Sequence, residues 1–319
     1  MALRSWLFVP GDSEKKQSKA ADTGADAIIL DLEDSVTPAN KARARELTLG
    51  WLQASRNAPG AQGRWVRINA LDSGMWRDDL AAVMPGAPDG IMLPKSAGPE
   101  SVEQLGAELS SLEQRHGLPE GSTRILPLVS ETAAAAISIP AYARGALPRL
   151  AGLTWGAEDL SAAIGATRKR DADGQWTDAF RFARVQTLLT AHACEVMAID
   201  TLHADFSDPA GLQRAAEAAR ADGFSGMLAI HPAQVAVINA AFTPSEAELA
   251  EARAIVAAFT ANPDAGALQI EGRMIDRPHL KLAQRLPFLL DQGTGTVHRR
   301  ALGRLHRLAI VNDHEIGRA

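Results

Sequence analysis

Short apolar runs recur along the chain up to about residue 230. Each is followed by a polar or glycine-containing corner and then by an alanine-rich stretch of helical length. Near-continuous apolar runs of about four to eight residues, bounded by turn signals, are typical of strands buried on both faces of a parallel sheet. The pattern predicts eight strands, at residues 5–9, 26–30, 64–69, 90–93, 124–129, 153–155, 195–200 and 226–230.

Eight strands that alternate with helical stretches are the number needed for a closed (β/α)8, or TIM, barrel. The alternative is an open doubly wound sheet. However, the corner Pro10-Gly11-Asp12 after the first strand lacks the glycine-rich fingerprint of a dinucleotide-binding turn. We therefore predict an α/β protein built on a TIM barrel, with its functional residues at the carboxyl ends of the strands.

The pattern changes from about residue 243. A long helix is predicted over 245–260, a short hairpin-like segment over 268–276 and another helix over 278–290. In the tail, the spacing of Val297, Ala301, Leu305 and Leu308 predicts an added docking helix. We predict two domains: a catalytic barrel over 1–242 and a C-terminal helical extension over 243–319 that packs on a neighbouring subunit.

Composition and charge narrow the class of protein. Hydrophobic residues form 46% and charged residues 22% of the 319 positions, which favours a large core over global disorder. The net charge of -5 argues against a nucleic-acid partner. No apolar stretch approaches the roughly 18 residues that a membrane span requires. Cys194 is the only cysteine, which excludes an internal disulfide and fits a reducing compartment. We expect a cytoplasmic protein that binds neither nucleic acid nor membrane.

Acidic residues follow two neighbouring predicted strands. Glu131 comes after the fifth strand, and Glu158 and Asp159 come after the sixth. Mg²⁺ takes oxygen ligands and often uses only one or two carboxylates, so a pair of acids at adjacent strand ends predicts a magnesium site. The alternative for either acid alone is a helix cap, since carboxylates favour helix amino termini. Glu158 competes with Asp159 as the second ligand.

Taken together, eight short segments resemble the citrate lyase beta subunit-like branch of the HpcH/HpaI aldolase superfamily. They occur in the family's order from about residue 4 to residue 290, which makes the set specific. The segments are RSWLFVPG (4–11), LDLEDSV (30–36), VRIN (66–69), LPK (93–95), ETA (131–133), WGAEDL (155–160), AIHP (229–232) and MID (274–276).

The resemblance implies a Mg²⁺-dependent carbon–carbon lyase that acts reversibly on acyl-CoA or other acyl thioesters. Malyl-, citramalyl- and citryl-thioesters are the substrates of such proteins, many of which are homotrimers. By the resemblance, Glu131 and Asp159 bind the metal, Arg67 binds substrate and Asp276 acts as acid or base. The basic tail suggests an acyl carrier protein as a further partner.

Other polar residues near the strand ends have two possible interpretations each. An inward-pointing Arg67 needs an anionic partner, either the substrate or a salt bridge to Glu33 or Asp34. We place Glu33, Asp34, Lys95 and Pro10 in the substrate-binding set. Lys95 is interpreted as a structural or substrate-contacting cation, because nearby acids raise the pKa of a lysine and disfavour a Schiff base.

Asp276 and three lysines complete the predicted site. The spacing of Asp276 and Pro278 favours a helix cap, whereas the resemblance favours a proton-transfer residue in a site shared between subunits. Lys16, Lys19 and Lys41 follow the first two strands and are predicted to pair with coenzyme A phosphates; solvated helix faces are the alternative.

Two other functions compete with the thioester lyase. One is a metal-dependent aldolase on free 4-hydroxy-2-oxo acids, which the lack of a clear base histidine near residues 31–34 disfavours. The other is a scaffold or lyase subunit that works only in complex with an acyl carrier protein.

Overall fold

The computed structural model of the protein describes residues 3–56 and 62–291, with side chains through residue 286. Eight parallel strands form its first part, and each overlaps one of the predicted strands. They are β1 (Ser5–Pro10), β2 (Ala27–Asp31), β3 (Gly63–Arg67), β4 (Gly90–Leu93), β5 (Arg124–Pro127), β6 (Gly152–Thr154), β7 (Met197–Asp200) and β8 (Gly226–Ala229).

Helices connect the strands on the outside of the sheet, so the chain alternates β and α elements. They are α1 (Glu14–Ser18), α2 (Lys41–Ala54), α3 (Trp76–Val83), α4 (Pro99–Arg115), α5 (Ala133–Ser138), α6 (Ala157–Ile164), α7 (Asp178–Ala193), α8 (Pro209–Asp222) and α9 (Pro232–Phe242).

The strands follow the order β5-β4-β3-β2-β1-β8-β7-β6, and every neighbouring pair is parallel. The first and last strands of that order are joined by the single parallel bridges Ile125–Leu150 and Leu128–Thr154. A backbone hydrogen bond of 3.0 Å from Val129 N to Thr154 O adds to this seam. The sheet thus closes into the predicted TIM barrel, and this prediction is confirmed.

Large side chains fill the barrel interior. Trp6 on β1 and Trp65 on β3 meet edge to face with ring centroids 5.0 Å apart. At Gly90 a Cβ atom would lie 2.2 Å from the Trp65 ring, so the start of β4 must be glycine for this packing. A second apolar layer lies between the strands and the outer helices. Burial of this kind is the main favourable term in folding, and it fixes the strand ends that carry the site.

A second compact unit begins at Pro244, after the barrel unit Leu3–Thr243. It consists of α10 (Glu246–Ala261), the antiparallel hairpin β9 (Ala267–Ile270) and β10 (Arg273–Asp276), and α11 (Arg277–Asp291). Ser245 and Glu248 form a capping box at the start of α10. Ile255, Phe259 and Ile275 contribute to its core. The docking helix predicted around 297–308 lies outside the described residues.

No helix within the described ranges combines the length and the apolar character needed to cross a bilayer.

Candidate active site

A cavity of about 570 Å³ opens at the carboxyl ends of the barrel strands. Its position follows from the fold, since the carboxyl ends of parallel strands and the loops after them meet on one face. The lining includes Phe8, Pro10, Arg67, Glu131, Trp155 and Asp159. The cavity therefore brings together six residues that the sequence placed in the site, namely Pro10, Lys16, Lys19, Arg67, Glu131 and Asp159.

Glu131 and Asp159 reach the cavity from adjacent segments. Glu131 follows β5 and is 3% exposed. Asp159 lies in the first turn of α6, and not at the strand end itself. Gly156 separates β6 from this helix, and a Cβ atom built there would lie 3.4 Å from Glu131 Cγ. The Glu131 side chain thus packs directly against the backbone that leads to Asp159.

Burial raises the pKa of Glu131 to about 8, and the nearby carboxylates of Asp159 and Glu33 add to this effect. A buried acid whose charge is disfavoured by burial and by a neighbouring carboxylate is suited to a cation between the two side chains. No cluster of three or more His, Cys, Asp or Glu side chains with metal-site geometry occurs in the described part of the chain. A two-carboxylate site fits Mg²⁺, which commonly retains waters or substrate oxygens as its other ligands.

Glu158, the competing ligand, has another partner. Its carboxylate is about half exposed and forms an ion pair with Lys169 in the loop after α6. Asp159 is the less exposed of the two neighbouring acids. The arrangement favours Asp159 as the partner of Glu131.

Arg67 is held by a bidentate pair with Asp31. Its Nε donates to Asp31 Oδ1 and its Nη2 to Asp31 Oδ2, both at 2.7 Å. Burial alone would raise the pKa of Asp31, but the Arg67 guanidinium outweighs burial and lowers it. The centre of the Phe8 ring lies 4.8 Å from the guanidinium carbon of Arg67. The Arg67 guanidinium keeps further N–H groups that can bind a carboxylate or an enolate oxygen.

Asp31 was not among the predicted site residues, although the sequence placed it in an acidic cluster with Glu33 and Asp34. A charged residue as the last position of a buried strand is the signal that could have identified it. Asp31 lies opposite Arg67 in the register of β2 and β3, and the sequence alone does not give that register.

Glu33 lies behind Arg67 and is 5% exposed. Its Oε1 accepts a hydrogen bond of 2.6 Å from Lys95 Nζ, and its Oε2 is 3.3 Å from an Arg67 nitrogen. Glu33 Oε2 is nevertheless buried without a hydrogen bond. Burial raises the pKa of Glu33, while Arg67 and Lys95 oppose that rise.

Lys95 and Asp34 complete this network. Asp34 is exposed, and its Oδ1 is 3.6 Å from Lys95 Nζ. The backbone N–H of Lys95 donates to Glu131 Oε2. Among the described residues, the side chains that line the cavity do not include Glu33, Asp34 or Lys95. Glu33 contacts the lining through Arg67, Lys95 contacts it through Glu131, and Asp34 contacts Lys95.

The sequence profile of the HpcH/HpaI aldolase/citrate lyase family matches residues 4–232, a range that holds the cavity and all of these contacts. The chain belongs to this family. The citrate lyase subunit beta-like protein of Mycobacterium tuberculosis is 38% identical over 88% of this chain and 93% of its own. The mitochondrial citramalyl-CoA lyase of Rattus norvegicus is 34% identical over 89% and 84%.

A solved structure agrees with the family assignment. The crystal structure of the protein CitE from Mycobacterium tuberculosis, in complex with magnesium, acetoacetate and coenzyme A, superposes with a TM-score of 0.70. The two sequences are 36% identical, and the match covers 90% of this chain and 97% of that one. Both the fold and the family resemblance predicted from the sequence are confirmed.

The lysines predicted to bind phosphate separate into two groups. Lys16 and Lys19 are exposed on and after α1 and line the cavity together with Lys15, which the sequence had not singled out. Lys41 is buried, and its ammonium donates to Leu32 O, Glu33 O and Asn69 Oδ1 at 2.6–2.8 Å.

Those three bonds use all three protons of the Lys41 ammonium. Lys41 therefore has a structural role in place of the predicted phosphate contact: it fixes the loop that carries Glu33. Burial lowers its pKa, and nearby acids oppose that change.

Asp276 lies beyond the segment matched by the family profile, in the second compact unit. It ends β10 directly before α11, where its Oδ1 is 2.5 Å from His279 Nδ1. The hydrogen bond with His279 lowers the pKa of Asp276. The position directly before α11 agrees with the helix-cap alternative from the sequence, and the residue is partly exposed.

Proposed function

We propose that the protein is a Mg²⁺-dependent carbon–carbon lyase that reversibly cleaves a hydroxyacyl-CoA thioester into an acetyl-type thioester and a 2-oxo acid. Malyl-CoA and citramalyl-CoA are the first substrates to test, since relatives of this chain carry the names citramalyl-CoA lyase and L-malyl-CoA/beta-methylmalyl-CoA lyase.

The single observation that carries this proposal is the pairing of buried Glu131 with Asp159 in a cavity that also contains the Arg67 guanidinium. Glu131 and Asp159 would hold the Mg²⁺, which supplies Lewis-acid polarisation and a template for the 2-oxo acid portion. Arg67 lies in the same cavity, where negative charge develops on the thioester fragment.

The reaction needs three events. A base removes the proton of the substrate hydroxyl, the carbon–carbon bond breaks as the carbonyl of the oxo acid forms, and the thioester fragment leaves as an enolate. Arg67, fixed by Asp31, donates hydrogen bonds to the enolate oxygen, a form of preorganised electrostatic stabilisation. The proton that leaves the hydroxyl is balanced by the one that the enolate carbon gains to give the acetyl-type thioester, and Asp276 acts as acid or base in this transfer.

The exposed Lys15, Lys16 and Lys19 favour the thioester over the free-acid aldolase. They form one basic rim on the cavity, and none of them makes an ion pair with another described residue. A rim of this kind is suited to the phosphates of coenzyme A. A free 4-hydroxy-2-oxo acid has no phosphate to pair with this rim.

A substrate panel tests the proposal. Malyl-CoA, citramalyl-CoA and free 4-hydroxy-2-oxo acids are offered with Mg²⁺ or with EDTA, and release of the 2-oxo acid is measured. We expect Mg²⁺-dependent cleavage of a CoA thioester. Full activity in EDTA would contradict the metal role, and turnover of the free acids alone would favour the aldolase.

We also propose that the protein is a homotrimer in the cytoplasm and that Asp276 serves the barrel of a neighbouring subunit. Mixing inactive Glu131→Gln subunits with inactive Asp276→Ala subunits should then restore part of the activity, while light scattering gives the subunit number.

Comparing a CoA thioester with its acyl-carrier-protein counterpart tests the carrier-protein partner, since a dedicated lyase subunit would turn over only the latter.

A further inference from the structure

The turn at the end of β4 contains a residue in an unusual backbone conformation. Four non-glycine residues in the described part of the chain have positive φ, namely Ala87, Lys95, Glu195 and Glu271. Of these, Lys95 (φ 50°) lies at the carboxyl end of a barrel strand, on the face of the cavity. A left-handed conformation costs an L-residue about 1–2 kcal/mol, so it persists only where its surroundings enforce it.

The left-handed turn directs two consecutive amides toward the end of β5. The Lys95 N–H donates to Glu131 Oε2, and the Ser96 N–H donates to Leu128 O at 3.2 Å. Ser96 is itself fixed by a hydrogen bond of 2.7 Å between its hydroxyl and that of Tyr142. One oxygen of the Glu131 carboxylate is thus held by the turn, while the side chain faces the cavity.

The Lys95 side chain anchors the other side of the same turn. Its Nζ is 2.6 Å from Glu33 Oε1, and Glu33 in turn is packed beside Arg67. The ammonium is outside the cavity lining. The side chain is therefore tied to Glu33 outside the cavity lining, whereas the backbone of the same residue contacts the buried acid of the site.

We infer that Lys95 is a positioning residue: its ion pair with Glu33 holds the left-handed turn whose amide orients Glu131 for the metal. This inference rests on the proposed function, because it needs Glu131 to be a metal ligand. Hydrogen bonds to a ligating carboxylate fix its orientation, and their loss typically weakens metal binding by about 10–100-fold.

Two other roles for Lys95 predict different results. A lysine that contacts the substrate would change the KM for the thioester and leave Mg²⁺ affinity unchanged. A lysine that acts only through its charge would repel Mg²⁺, so its removal would tighten Mg²⁺ binding. The positioning role alone predicts that the backbone preference of the replacement residue matters.

The matched pair Lys95→Met and Lys95→Gly separates these roles. Both variants lose the same charge, but glycine adopts positive φ without steric cost and methionine does not. We expect the Mg²⁺ Kd of Lys95→Met to exceed that of Lys95→Gly by roughly fivefold or more. Lys95→Arg, which keeps the ion pair with Glu33, should retain the wild-type Kd.

Isothermal titration calorimetry with MgCl₂ on the full-length protein, without thioester, measures these constants. The KM for the thioester at saturating Mg²⁺ is the second readout, and we expect it to be unchanged in all three variants. If Lys95→Met does not fold, Lys95→Ala supplies an equivalent uncharged side chain that disfavours positive φ.

Equal Kd values for the methionine and glycine variants, or tighter Mg²⁺ binding in both, would overturn the inference. The control Glu131→Gln distinguishes this from failure of the proposed function. If Glu131→Gln binds Mg²⁺ as the wild type does, the metal site itself is wrong. If it does not bind and the Lys95 variants are equal, only the positioning role fails.

Discussion

Glu113 with Arg149, at the amino-terminal end of the barrel, can be compared with Glu33 and Arg67 at the carboxyl end. Both pairs are mostly buried carboxylate–guanidinium pairs. Glu113 accepts two hydrogen bonds from Arg149, at 2.7 and 2.9 Å, and two from the backbone N–H groups of Gly121 and Thr123, each at 2.8 Å. Glu33 has one oxygen without any hydrogen bond.

The difference also appears in the pKa values. Burial would raise the pKa of Glu113, but its hydrogen bonds from Arg149 and the backbone lower it. At the other end, burial raises the pKa of both Glu33 and Glu131. In a TIM barrel the amino-terminal end serves stability and the carboxyl end serves chemistry. Incompletely paired charge at the carboxyl end is therefore expected where a cation and an anionic substrate are to bind.

The largest effect should come from Glu131→Gln. Removal of one of the two metal-binding carboxylates should lower kcat/KM by on the order of 10³-fold, because the metal stabilises transition-state charge by several kcal/mol. Steady-state kinetics with the CoA thioester at saturating Mg²⁺ measures this. The free energy of unfolding in EDTA should stay level or rise, because an amide is cheaper to bury than an acid beside Asp159. A destabilised but active variant would contradict the assignment.

Glu113→Gln should have the opposite profile. It leaves the buried Arg149 guanidinium without a charged partner, which typically costs about 3–5 kcal/mol, and we expect a loss near 3 kcal/mol because the amide keeps one acceptor oxygen. Urea unfolding in EDTA measures the loss. The kcat and the KM per folded molecule should match the wild type, and a change in either would show that the two ends are coupled.

The pH dependence of stability sharpens the same comparison. Glu131 has a raised pKa, so in EDTA the folded state holds its proton between the ordinary pKa of a glutamate and about 8, and stability falls as pH rises through that window. Glu113 has a lowered pKa, so its contribution is present above the ordinary value and is lost as pH falls toward the folded-state value.

Unfolding free energies from about pH 2 to about pH 9, in EDTA, measure both slopes. Glu131→Gln should flatten the decline toward pH 8, and Glu113→Gln should flatten the decline at the acidic end. A Glu131→Gln curve parallel to that of the wild type would mean that the carboxylate is already ionised in the metal-free protein.

The strand ends show how far the sequence could predict the site. Carboxyl ends of parallel strands share one face, so Glu131, Asp159 and Arg67 could be placed together from the strand pattern alone. The role of Lys41 could not, because it depends on the rotation of α2, which decides whether the ammonium faces solvent or the carbonyls of the loop after β2. The turn at Lys95 was equally hidden, since a lysine gives no local signal for a left-handed conformation.

The second compact unit shows another limit. Its helices and hairpin follow from capping residues and periodicity, as at Ser245, where the capping box starts α10. The contact between Asp276 and His279 fits the i,i+3 geometry at a helix start, which a sequence can suggest. The proposed role of Asp276 in the barrel of a neighbouring subunit depends on assembly, and no periodicity within one chain encodes assembly.

The smallest effect is expected at the outer rim of the carboxyl end. Lys16 and Lys19 are exposed, so each contact with a phosphate is weakened by solvent and is worth roughly 0.2–1 kcal/mol. The double variant Lys16→Ala with Lys19→Ala should raise the KM for the CoA thioester by about three- to tenfold and leave kcat unchanged. The increase should shrink in high salt, since exposed charges are screened.

The double variant Arg115→Ala with Arg144→Ala, which removes two exposed cations outside the cavity lining, is the matched control. It carries the same loss of charge, so an equal rise in KM would assign the effect to net charge and not to the rim. A change in kcat for the double lysine variant would instead mean that α1 influences the buried acids. The rim differs from both ends of the barrel core, because its lysines are exposed and have no ion pair within the described part of the chain. They can therefore be replaced with little cost to stability and with a graded effect on substrate affinity.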